Sequence, residues 1–150
     1  MIALENAGVC RFCSDGLTMY GDSAGPLFES ASWVVIENDF PYPGTLRHLL
    51  LIPRAHVRDL LDLSPASRSG YWEALEAARS ITGRSYYGLG VRNGDCAATG
   101  ATIAHLHIHF LVPDTDVHAP PVRMRFSGRS HAGGLGVNPD KFNSGGLKHS

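Results

Sequence analysis

Three histidines, His105, His107 and His109, occupy every second position of His-Leu-His-Ile-His-Phe-Leu-Val-Pro (105–113). On a strand, side chains alternate between faces, so the imidazoles form a row with neighbours about 6.6 Å apart. Leu106, Ile108 and Phe110 are apolar, which assigns the opposite face to a core and turns the histidine face toward a pocket. An imidazole titrates near neutrality, so such a row can attack, donate a proton or bind a metal. Three readings stay open for it: hydrogen-bonded core histidines, a chelate made by His-x-His itself, or a division of labour in which one ring joins ligands from elsewhere.

Cys10 and Cys13 favour the third reading. In a reducing compartment, Cys-x-x-Cys points to metal or redox chemistry. A tetrahedral zinc needs two more nitrogen or sulfur ligands, which one strand histidine and one distant histidine would supply. A pair of buried small residues is the plainer alternative, and Cys96 is left over. Directly before the row, residues 93–104 (Asn-Gly-Asp-Cys-Ala-Ala-Thr-Gly-Ala-Thr-Ile-Ala) are mostly small. Their unobstructed backbone amides suit an anion cradle.

The rest of the chain must hold these groups in place. Leu27-Phe28 and Trp33–Ile36 predict strands near 27–30 and 33–37, and His48–Ile52 a third strand stopped by Pro53. Residues 85–92 alternate Tyr87, Leu89 and Val91 with Gly88 and Gly90, predicting a fourth strand whose glycine face admits a close neighbour. The row itself is the fifth, over 105–113. His56–Leu63 supports a short helical turn. Ser64-Pro65 then reads as an N-cap with proline at the first helical position, Tyr71, Trp72, Leu75, Ala78 and Ile81 follow at helical spacing, and Gly83 closes a helix over 65–82. The expected fold is α+β: a five-stranded, mostly antiparallel sheet with one long and one short helix. Residues 1–113 are expected to form the domain that carries the row, and the Gly-rich 114–150 an extended tail packed on it or trailing from it.

Composition removes several function classes. The 150 residues carry 13 Lys and Arg against 14 Asp and Glu, for a net charge of −1. With a pI near 6.7, no broad basic face for a nucleic-acid backbone is expected, though a local basic pocket remains open. No run approaches the roughly 18 apolar residues of a membrane span. The start, Met-Ile-Ala-Leu-Glu-Asn, lacks the basic and apolar regions of a secretion signal, so a cytoplasmic location is expected.

These residues resemble the histidine triad (HIT) family, whose signature alternates histidine with apolar positions as residues 105–112 do. The likeness extends to Asn38-Asp-Phe-Pro-Tyr42, to His48-Leu-Leu-Leu-Ile-Pro-Arg-Ala-His56 and to Val91–His105, and so covers about residues 8–113. Within the family, the Asn-x-Phe-Pro-Tyr block and Gly100-Ala101-Thr102 are closer to the dinucleoside polyphosphate hydrolase and phosphorylase branch. The resemblance implies a nucleotide hydrolase or transferase in which His107 attacks the α-phosphorus. The His105 carbonyl holds the other ring nitrogen of His107, and His109 donates to phosphate oxygens. It also implies that Thr102, Gly100, Ala101 and Asn93 stabilise the phosphoryl group and that Asn38 contacts the ribose, with His105 belonging to both the substrate and the metal set. Zinc-bearing relatives use positions matching Cys10, Cys13, His56 and His105 for a structural zinc. A nucleotide substrate and a homodimer, with Tyr71 and Trp72 as interface candidates, are implied as well; a nucleotide-binding scaffold with little turnover is the alternative. Two features depart from the family: Thr45-Leu46-Arg47 lies between Gly44 and His48 as an insertion able to alter the pocket rim, and Asp114-Thr-Asp116 replaces the usual residues after Pro113.

Overall fold

In the computed structural model, which describes residues 10–13, 17 and 25–128, five strands form one sheet in the order β1-β2-β3-β5-β4. They are β1 (Phe28–Glu29), β2 (Trp33–Glu37), β3 (Thr45–Pro53), β4 (Gly88–Val91) and β5 (Ile108–Pro113). Every neighbouring pair is antiparallel. The alternation along β3 decides which face does what. Leu49 and Leu51 point into the main core with Trp33, Val35, Ile108, Phe110 and Val112, while Leu50 and Ile52 join Phe12 on the other face.

The long helix, α1 (Pro65–Thr82), covers the first face. Ser64 caps it by accepting from the Ser67 amide, and Gly83 ends it at φ +63, as the sequence predicts. Its buried stripe is built on Ser67, Ala74 and Ala78. The small Ala side chains bring the helix close to the sheet, and the Trp33 indole N–H donates to the Ser67 carbonyl at 2.6 Å. Tyr71 packs on Trp33 with ring centroids 5.3 Å apart. Trp72, one residue on and about 100° around the helix, turns outward and is 64% exposed. The short helical segment is a single 3₁₀ turn, Leu60–Asp62, capped by Asp59.

Four expectations need correction. Thr45-Leu46-Arg47 is not a rim loop but the start of the third strand, which is longer than 48–52: β3 begins at Thr45, and the register shifts between Thr45 and Arg47. That bulge absorbs one residue and leaves His48 on the same face as Leu50. The triad strand pairs only from Ile108, because Pro53 ends the neighbouring strand without an N–H to offer and the Leu106 amide donates instead to Val57 O at 2.7 Å. The fourth strand is shorter than 85–92, and the 93–104 loop contains one helical turn, α2 (Cys96–Thr99), between an Asp95 N-cap and Gly100 at φ +76.

After β5, Asp114 and Asp116 accept from the amides of Asp116 and His118 and turn the chain back. The following segment, through residue 128, lies against the sheet and α2. It touches three glycines: a Cβ at Gly44 would strike the Pro120 carbonyl, one at Gly90 the Met124 sulfur, and one at Gly100 the Ser127 carbonyl. The close neighbour on the glycine face of β4 is thus the chain itself. The rest of the tail, 129–150, falls outside the described residues.

Gly44 also has φ +84. Gly44→Ala is expected to cost about 1–2 kcal/mol from the left-handed backbone alone, and more because the Pro120 segment must move. Urea unfolding measures it, and an unchanged midpoint would show that the 120–128 segment does not rest on this turn.

Candidate functional site

The row of imidazoles is sorted by what each ring nitrogen meets. His107 Nδ1 lies 2.8 Å from the carbonyl oxygen of His105. A carbonyl only accepts, so Nδ1 carries the proton and, in a neutral ring, Nε2 keeps its lone pair. Burial is the largest influence on His107 and pushes its pKa below the ordinary value, with Arg92 acting in the same direction. The ring is held neutral and in one tautomer, with a nucleophilic nitrogen.

A second relay orients His109. The Tyr42 amide donates to His48 Nδ1 at 3.0 Å, so His48 must carry its proton on Nε2. That nitrogen lies 2.8 Å from His109 Nδ1, which therefore accepts and leaves the His109 proton on Nε2. His109 Nε2 is buried with no partner. A buried, unsatisfied N–H costs about 1–3 kcal/mol; here it stands next to His107, with ring centroids 5.0 Å apart. Burial drives His48 down to about 4 and His109 down to about 3. Tyr42 stacks on His109 at 5.3 Å and meets His48 edge-on at 4.5 Å.

His107 and His109 line a cavity of about 350 Å³. Asn38 sits on its wall, with its amide nitrogen near both ring nitrogens of His48 and its oxygen accepting from the Phe40 amide at 3.0 Å. Gly100 and Thr102 also line it. Phe12 packs edge-on to His107 at 5.1 Å.

Behind the row lies a second cluster. The Cys10, Cys13, His56 and His105 ligand atoms all fall within 4.8 Å of one another. His105 Nδ1 stands 3.4 and 3.6 Å from the two sulfurs, and His56 Nδ1 stands 3.4 Å from Cys13 Sγ. His105 Nε2 donates to Pro53 O at 2.6 Å. This is the outer hydrogen bond that fixes a ligating imidazole, and it leaves Nδ1 for the cluster. The donor set and spacing fit a tetrahedral metal with sulfur and nitrogen ligands.

Of the residues singled out in the sequence, the structure brings His107, His109, Thr102, Gly100 and Asn38 to the cavity and gathers Cys10, Cys13, His56 and His105 into the cluster. Three do not reach the cavity wall. The fully buried His105 ring faces the sulfurs, so this residue reaches the cavity side only through its carbonyl. The Asn93 side chain accepts from the Leu60 amide at 2.8 Å and pins the 3₁₀ turn. Ala101 is absent from the lining. The sequence reading missed His48, Tyr42, Arg92, Arg123 and Arg125. His48 was detectable in principle, since a histidine on a strand beside the row shares its face in one of two registers.

The HIT domain family model matches residues 27–116. An uncharacterized HIT-like protein of Chlamydia muridarum is 33% identical over 89 residues, which span 57% of this chain and 68% of that protein. Among solved structures, a HIT family hydrolase from Clostridium thermocellum has the same fold with a TM-score of 0.55 at 21% identity, covering 77% of this chain and 96% of the other. A Zn-bound histidine triad family protein from Mycobacterium smegmatis gives a TM-score of 0.52 at 23% identity, covering 81% and 84%.

Burial of His48 and His109 makes stability depend on pH. Both rings are neutral when folded but have ordinary values near 6.5 when unfolded, so the unfolded chain binds more protons below that pH. Glu37 eases protonation of His48, whereas His107 opposes it at both rings and Arg92 at His109. Stability is full above about pH 6.5 and falls toward pH 4, by up to about 1.4 kcal/mol per pH unit for each ring. Urea unfolding between pH 7 and 4.5 should show that loss, and a His48→Asn/His109→Gln double variant a shallower slope. Equal slopes would mean that the pair is not held neutral.

Proposed function

The chain belongs to the histidine triad family, and from that membership we propose that it cleaves a nucleoside 5′-phosphoryl bond through a covalent nucleotidyl-His107 intermediate. The observation that carries this reading is the 2.8 Å contact from His107 Nδ1 to the His105 carbonyl, which leaves the Nε2 lone pair for attack. In the first step Nε2 bonds to the α-phosphorus, and the bond to the leaving group breaks with its electron pair going to that group. In the second, a water oxygen bonds to phosphorus, the P–N bond returns its pair to Nε2, and a nucleoside monophosphate departs. Phosphate as acceptor would instead give a nucleoside diphosphate.

The His109 Nε2 proton, unpaired in the protein, would donate to a phosphoryl oxygen as negative charge develops there, together with Thr102 of the cavity lining. His48 acts through His109 as a positioning residue, holding its tautomer. Asn38 on the wall would take the ribose hydroxyls. Adenine is the base favoured by the family likeness, and a dinucleoside polyphosphate, an adenylylated amine or an adenylyl sulfate are the substrate types to be separated. The exposed Trp72 on α1 is the surface for the homodimer that the same likeness implies.

Cys10, Cys13, His56 and His105 would hold zinc. Four ligands close the coordination sphere, so the ion would cross-link the Cys10–Cys13 segment to His56 after β3 and to His105 in the run into β5, and supply no chemistry to the substrate.

His107→Ala should lower turnover by about a thousandfold or more, as removal of a nucleophile does. Intact-mass measurement after brief mixing with adenylyl donors should find one nucleoside monophosphate added to the wild type and none to the variant. Retained turnover in His107→Ala would sink the covalent route. Protein purified without added metal should carry about one zinc per chain, and a strong chelator should lower its thermal midpoint. Substoichiometric zinc with an unchanged midpoint would return Cys10 and Cys13 to small packing residues.

A further inference from the structure

The segment after β5 brings two cations to the cavity. Along residues 122–125 burial alternates: Val122 and Met124 are half-buried, while Arg123 and Arg125 are exposed and line the cavity that holds His107 and His109. The path of this segment is fixed along its length. Pro120, Met124 and Ser127 each occupy space that a glycine leaves open. The Gly128 amide donates to Ala98 O at 2.8 Å, and Arg92 Nε donates to Arg125 O at 2.7 Å. The two arginines therefore belong to a built wall.

The charges around the cavity do not cancel. Its charged lining residues are Arg11, Arg92, Arg123, Arg125, Glu37 and Asp39. Glu37 is engaged by Arg47 from outside, at 2.7 and 3.1 Å, and Asp39 by Arg11 at 3.5 Å. Among the described residues, no carboxylate pairs with Arg92, Arg123 or Arg125. Arg92 is braced by the Tyr42 hydroxyl at 3.2 Å and lies over the Phe126 ring. Three guanidinium groups exceed what the single charge of an α-phosphodiester needs, since each fork can bind a phosphate through two hydrogen bonds. An amine leaving group has no use for them.

We propose that Arg92, Arg123 and Arg125 form a subsite for an oligophosphate leaving group, with Arg123 and Arg125 as the residues that select it. This deepens the His107 reading and rests on it. The preferred substrate is a nucleotide whose α-phosphoryl is followed by two or more further phosphoryl groups. Their charge lies along the arginine wall while the bridging oxygen departs with its electron pair.

The experiment has a binding arm and a kinetic arm, so that failure of this subsite and failure of the His107 route can be told apart. Calorimetric titration of the full chain with inorganic tripolyphosphate reads the subsite without catalysis. An Arg123→Gln/Arg125→Gln variant is expected to bind about 10- to 100-fold more weakly, the scale of lost charge-assisted hydrogen bonds, and Lys at both positions should restore part of the affinity. In kinetics, the Gln variant should lose kcat/KM by a similar factor toward adenosine 5′-tetraphosphate and change less than about twofold toward an adenosine 5′-phosphoramidate. Absent tripolyphosphate binding in the wild type, or equal binding by the variant, would overturn the subsite. So would equal loss toward both donors, which would place the arginines on the α-phosphoryl. Tripolyphosphate binding that depends on both arginines, with no His107 adduct from any donor, would keep the subsite and reject the covalent route.

Discussion

The carbonyl of His105 and the ring of the same residue face different tasks, and the site depends on both being done at once. The carbonyl accepts from His107 Nδ1 at 2.8 Å, which decides the tautomer of the central ring. The imidazole is locked by Pro53 O at 2.6 Å and points Nδ1 at two sulfurs. A rotation of this peptide would release the proton position of His107 and break the cluster together. The buried Phe12, between the two cysteines and edge-on to both His105 and His107, ties the cluster to the cavity wall. The Cys/His cluster and the tautomer of His107 are therefore coupled through a single residue in the run into β5.

Burying a row of imidazoles against a sheet is unfavourable unless their nitrogens are paired. His107 and His48 are paired through backbone groups, and His48 pairs with His109. Among the described residues, His109 Nε2 is the buried side-chain nitrogen left without a partner. Strain of this kind persists where the surroundings over-determine it. Here Tyr42 grips His48 from the backbone and covers His109 with its ring, so the His109 imidazole is held in one orientation. The main core on the opposite face, around Trp33, Phe110 and α1, supplies the rigidity that holds the row.

How much of this was legible in the sequence differs by the range of the interaction that fixes each part. α1 was readable to its ends, because Ser64, Pro65 and Gly83 act within one turn of themselves. The row was readable because period two is a local property of extended chain. The 3₁₀ turn and α2 carry equally local caps, and the Asp95 and Gly100 signals were present but masked by the small-residue run between them. His48 was readable only as one of two registers: period two puts it on the face of Leu50, and the long-range pairing of Leu50 with His109 is what turns that face to the row. The Asn93 contact was not readable for a related reason, since its partner, the Leu60 amide, lies 33 residues away. The path of 120–128 is set by three glycines spread from 44 to 100, which no window along the chain brings together.

Bulk charge and local charge also give different answers. A net charge of −1 speaks against a long polyanion tracked along a surface, because that binding draws on a broad field. It is silent about a cavity, where a few guanidinium groups sit beside low-dielectric walls and act at short range. The exposed pairs Arg47–Glu37 and Arg54–Glu29 contribute little to the fold, as surface ion pairs do. Arg47–Glu37 has a second consequence, because it occupies one of the two carboxylates on the cavity lining from the outside. The other, Asp39, is engaged by Arg11. Neutralising the acids rather than adding bases is what leaves Arg92, Arg123 and Arg125 in excess. A chain with balanced composition thereby gains a local cationic recess, the setting in which the proposed oligophosphate subsite would act.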